Sequence, residues 1–111
     1  MGKYRLLILV LALPGFDRAA GQMATGDSAY AAMKYDDAIA AYDTALAVAP
    51  GDATTLWRIA RAHIASGEIK EGDDKEQQYR IAREFAERCV REDYTNANGH
   101  AWLAAALGNI A

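Results

Sequence analysis

The side chains that could carry out chemistry are few. The chain has one cysteine, Cys89, and two histidines, His63 and His100. A Cys/His nucleophilic pair would need Cys89 to face one imidazole across helices, with a third group holding the ring in its tautomer. Nothing in the neighbouring sequence supplies that group, so a small hydrolase built on Cys89 or His63 is the weakest of the readings. One cysteine excludes an intramolecular disulfide, and one thiol with two imidazoles is too small a donor set for a structural zinc site. Glu71-Gly72-Asp73-Asp74 concentrates carboxylates but lacks the alternating oxygen ligands and closing glutamate of a calcium loop. It reads as a solvated acidic turn in which Asp73 or Asp74 caps the following helix. There is no phosphate-binding glycine loop and no nucleophile elbow. The sequence therefore predicts no catalysis, no metal and no cofactor.

The remaining candidates are suited to recognition. Arg58 and Arg61 lie three apart, on neighbouring turns of one helix, where two guanidinium forks could converge on a carboxylate. The competing reading is a pair of surface ion pairs, with Glu84 and Glu87 as partners. Trp57 adds a flat apolar surface beside them. A formal net charge of −3 gives no basic patch for phosphate neutralisation, so a nucleic-acid partner is not expected. With 111 residues, 52% of them hydrophobic, and two prolines, the chain has the make-up of one folded domain.

The elements that must position these residues begin after residue 21. Lys3 and Arg5 precede an apolar run from Leu6 to Leu13, closed by Pro14 and Gly15, the order of a secretory signal peptide. The run is far shorter than the roughly 20 residues of a membrane-crossing helix, so no stable span is expected. Ala19 and Gly21 are the small residues that favour a cut before Gln22, and no cysteine lies nearby for lipidation. The other reading of this segment is a short buried element at the start of the fold. Residues 1–21 are thus expected to be an export signal and 22–111 the mature domain.

From Gln22 onward alanine dominates, long side chains recur at spacings of three and four, and no stretch alternates in the two-residue rhythm of a half-buried strand. The mature chain is predicted to be all-α, with helices at about 22–33, 35–49, 53–66, 74–92 and 97–110. The stripe Tyr35, Ala38, Ile39, Tyr42, Ala45, Leu46 and Val48 marks the buried face of the second. Pro50 ends that helix, Gly51 is free to turn left-handed, and Asp52 is a good cap for the next.

Gly26, Tyr30, Tyr35, Ala38, Tyr42, Ala45 and Pro50 follow a repeat of about 34 residues, with small residues where paired helices touch. In this the chain resembles the tetratricopeptide repeat family, departing from it at Thr25, Ala29 and Met33, the last standing where the family has its turn glycine. A second register starts at Ala53, with Ile59, Ala60 and the turn glycine at Gly67. It is interrupted by a polar insertion, Glu68 to Gln78, expected to be a loop. The register resumes with Tyr79, Ala82, Phe85, Ala86, Cys89 and Val90, and a third unit opens at Ala97. The resemblance implies a solenoid of helical hairpins, about two and a half repeats long. It puts Cys89 at a buried small-residue position, and His63 where the family has an inner-face tyrosine.

Leu56-Trp57-Arg58 and, after the insertion, His100-Ala101-Trp102 together resemble the regulator of microtubule dynamics family over Leu56 to Ala111. The resemblance implies an interaction domain, and the N-terminal signal points to a bacterial exported relative in the periplasm or envelope. It places Trp57, Arg61 and Ile64 on a concave inner wall, with Arg58 at the rim, as a peptide-binding groove. The leading expectation is a non-catalytic scaffold that binds a protein or peptide. The alternative is an accessory domain of a longer exported enzyme or envelope complex. The last helix, with Trp102, Leu103, Leu107 and Ile110, is expected to seek cover from further chain or a second copy.

Overall fold

The computed structural model describes residues 14–110. Five helices are present among them: α1 (Pro14–Ala31), α2 (Tyr35–Val48), α3 (Ala53–Glu68), α4 (Gly72–Glu92) and α5 (Ala97–Ile110). The architecture is all-helical, with α1 and α2 forming one hairpin, α3 and α4 a second, and α5 standing as the first helix of a third. Helix α3 packs against α2, α4 and α5, and it meets α1 through side chains, Arg58 with Asp27, Arg61 with Tyr30 and Thr55 with Met23. The expected signal segment falls largely outside the described residues, and its last part, 14–21, forms the opening turns of α1. No helix among the described residues is long and apolar enough to cross a membrane.

Local chemistry accounts for the helix ends. Asp52 caps α3 as expected, its Oδ2 accepting from the Thr55 backbone N–H at 3.0 Å. Asn96 does the same for α5, accepting from the Gly99 N–H at 3.0 Å. Helix α1 ends in a reversed turn in which Lys34 N–H donates to Ala29 O at 2.8 Å and Met33 N–H to Tyr30 O at 2.9 Å. That bonding needs a left-handed residue, and Met33 supplies it at φ 62° without a glycine. The second hairpin differs. Gly67 stays inside α3, buried against Tyr79, and the positive φ falls on Gly72 instead. Gly51 does not take a left-handed conformation either.

The polar insertion does not form the loop expected of it. Residues 32–34 link the first hairpin and 69–71 the second, so both links have the same length. The added residues go into helix: α4 has 21 residues against 14 in α2. Asp73, Asp74, Glu76 and Gln77 lie exposed in the opening turns of α4. Neither aspartate is the cap; Glu71 occupies that position without a side-chain bond, and Asp73 and Asp74 sit in the first turn, where the helix dipole favours negative charge.

Two clusters make the core. One joins Ala38, Tyr42 and Leu46 of α2 to Leu56, Ile59 and Ala62 of α3 and Cys89 of α4. The other joins Ile64 of α3, Tyr79 and Ala82 of α4 and Ala106 of α5, with Trp102 packed against it. Fully buried side chains such as Leu56 and Ile59 each contribute about 1.5–3 kcal/mol of apolar transfer. Helices cross closely where side chains are missing: a Cβ on Gly26 would collide with the Tyr42 ring, and one on Gly99 would lie 2.8 Å from Cys89 Sγ. Val48, expected on the buried stripe of α2, is 44% exposed at its end.

Candidate functional site

Trp57, Arg58 and Arg61 come together where α3 lies beside α1. Arg58 Nη1 donates to both carboxylate oxygens of Asp27, at 3.0 and 3.3 Å. Asp27 also accepts from the Tyr42 hydroxyl at 2.6 Å, so one α1 carboxylate ties α2 to α3. The Arg61 guanidinium lies over the Tyr30 ring, 3.8 Å from its centroid, and faces Trp57 at 5.1 Å. Tyr30 in turn meets Tyr35 at 5.4 Å, tilted by 57°. The result is a wall of three aromatic rings and two guanidinium groups across two hairpins.

Burial pushes the Tyr42 phenol up to about 12, and its hydrogen bond to Asp27 and that carboxylate's charge add to the rise. Burial also raises Tyr30, against the opposing charge of Arg61. Both rings are therefore neutral wherever the protein is folded near neutral pH, and the wall's formal charge comes from Arg58, Arg61 and Asp27.

Ile64 does not join this wall. It is 4% exposed and packs in the second core cluster, facing α4 and α5. The Arg58 partner is Asp27, not Glu84 or Glu87; Glu87 is held by Arg83 at 2.8 Å along α4. Sequence reasoning missed Asp27 as well. Its ion pair with Arg58 spans 31 positions, and Tyr30 and Arg61 stand at the same offset, a little less than one repeat. A comparison of the two first helices at that offset finds both pairs.

The reactive side chains lie elsewhere. Cys89 is fully buried against Gly99 and donates to Ala53 O at 3.3 Å, and burial raises its thiol above the ordinary value. His63 is buried, but toward α4 and away from the inner wall, stacked on Phe85 at 6.0 Å with Nδ1–H donating to Gln78 Oε1 at 2.7 Å. Burial lowers its pKa. His100 donates to Tyr94 O at 2.6 Å. No group of three His, Cys, Asp or Glu side chains that could hold a metal ion occurs among the described residues. A cavity of about 250 Å³ opens at the hairpin-turn end, lined by residues that include Met33, Asp36, Ser66, Ile69 and Lys70. Within it Lys70 donates to Ser66 Oγ at 2.7 Å, and Ser66 to Asp36 at 3.2 Å.

Stacked helical hairpins with an aromatic and cationic wall define a helical-repeat domain. The family model of regulator of microtubule dynamics protein 1-3 matches residues 22–111, and the chain belongs to that family. The likeness read from Leu56-Trp57-Arg58 and His100-Ala101-Trp102 thus extends through the first hairpin as well. No curated protein matches the chain.

Proposed function

We propose that this protein is an exported, non-catalytic scaffold of the tetratricopeptide type that binds a protein or peptide along the wall formed by α1 and α3. The observation that carries this reading is the distribution of side chains. Aromatic and guanidinium groups gather on two adjacent first helices, while the thiol and the His63 imidazole are enclosed in the core with their own partners. Side-by-side helices of this kind offer a long surface whose binding comes from shape and charge and not from bond chemistry.

Export is supported by the layout of α1. Among the described side chains of α1, those that pack on the core, Met23, Ala29 and Tyr30, follow Gly21, as does Gly26 at the crossing with α2. A cut before Gln22 spares these residues, and the family match begins at the same residue. A bacterial periplasm or envelope is the compartment we assign. The family's description concerns microtubule dynamics, and an exported member would apply the same kind of surface to a different partner.

A photo-crosslinking residue placed at Tyr35, on the wall, and another at Glu84, on the far side of α4, test the function in the native host. A discrete protein adduct from Tyr35 with none from Glu84 is expected; equal labelling from both positions would count against the wall. Leu107 of α5, 46% exposed, favours the second reading of an accessory domain within a larger assembly. Adducts from Leu107 alone would establish that reading in place of the first.

A further inference from the structure

The two arginines of the wall are not equivalent. Arg58 is matched by Asp27, whose carboxylate lies 3.0 Å away and also takes the Tyr42 hydroxyl. Arg61, one turn further along α3, has no ion pair among the described residues; its Nε is buried without an acceptor, and the polar group its guanidinium reaches is the neutral Tyr42 hydroxyl. A guanidinium is a planar fork of five donors that never loses its charge. Stacking on Tyr30 holds this fork in one plane, with Trp57 on another side, so little of its freedom remains to be lost on binding. The wall thus contains an oriented cation that no carboxylate touches directly among the described residues, Asp27 being engaged by Arg58 and Glu68 acting on Tyr30 only through its charge.

Resting on the peptide-binding reading, we infer that Arg61 receives a single carboxylate from an acidic side chain within an extended peptide, with Tyr30 and Trp57 seating its apolar neighbours. Charge sets the number at one. Arg58 and Asp27 cancel, leaving Arg61 as the one unpaired cation on the wall of a protein whose net charge is −3, and the half-exposed Asp27, with Glu68 acting on Tyr30, repels a second carboxylate. Position favours an internal residue over a chain end. The aromatic surface continues on both sides of Arg61, to Trp57 in one direction and through Tyr30 to Tyr35 in the other, so a bound chain runs past the cation.

Random-peptide phage display on the full chain tests this, using peptides fused at their carboxy ends so that every displayed acid is internal. Enriched peptides should share one Asp or Glu flanked by apolar residues. A synthetic copy, amidated at its carboxy terminus, should lose about tenfold or more in affinity when that acid becomes Asn or Gln, or when the protein carries Arg61→Gln. Arg61→Lys keeps the charge without the fork and should fall between; it carries the comparison if Arg61→Gln loses its helical circular dichroism. Enriched peptides without a shared acid, or with equal affinity for wild type and the Arg61 variants, would overturn the role of Arg61 while leaving the peptide-binding reading in place. Binding seen only with peptides displayed with free carboxy ends would overturn the internal position. Failure to enrich any peptide in either format would overturn the peptide-binding reading itself.

Discussion

The Tyr42 hydroxyl and the Asp27 carboxylate, 2.6 Å apart, join α2 to α1, and through Arg58 the same carboxylate reaches α3. Because the phenol rises to about 12 from an ordinary 10.0, the folded state holds the proton more tightly than the unfolded chain. The linked stability is fully present below pH 10.0 and declines as pH rises through about 12. Tyr42→Phe should remove the latest phenolate step from an absorbance titration. It should also lower stability by about 2 kcal/mol, since it leaves Asp27 short of a donor. An unchanged titration endpoint would refute the assignment.

Met33 holds a left-handed conformation that costs an L-residue about 1–2 kcal/mol and costs glycine little. Its side chain is 67% exposed and contributes little packing. Met33→Gly should therefore raise stability by up to about 1 kcal/mol, after allowance for the greater freedom of an unfolded glycine, seen as a higher denaturation midpoint at unchanged m-value.

Gly99 passes close to the Cys89 sulfur. Gly99→Ala should destabilise the protein by about 1–3 kcal/mol through overcrowding. Cys89→Ala removes the sulfur and should recover much of that loss in the double variant. Additive losses in a double-mutant cycle would show that the clash lies elsewhere.

His63 is held neutral by burial, so its folded pKa lies below the ordinary 6.5. The sign is opposite to that of Tyr42. Stability is present above pH 6.5 and is lost as pH falls toward the folded value, because the unfolded chain takes the proton first. Thermal melts from neutral pH down to about pH 5 should show a decline that is reduced in His63→Gln.

Much of this architecture follows from short-range signals. Pro50 and Asp52 mark a stop and a start within a few residues, and the helix expected at 97–110 is α5. The opening of α4 was obscured because Asp73 to Gln77 carry no apolar period; such residues form helix here as the exposed extension of a packed one. Face assignment failed on α3 for a different reason. Periodicity finds one buried stripe, but Ala62 to Gly67 are all buried because α2, α4 and α5 cover the helix from several directions. Ile64 therefore looked available for a groove and is core. Asp27 gave no local sign, since its partners lie in two other helices.

Helix α3 contributes to both core clusters, and this bears on how the chain emerges from the ribosome. The first hairpin leaves with Tyr42 and Leu46 uncovered. Leu56 and Ile59, which close over them, come a helix later, and Cys89 of the same cluster later still. The core under the first hairpin is therefore completed only after α4 has emerged. On the export reading proposed above, that delay would keep the chain threadable through a translocon.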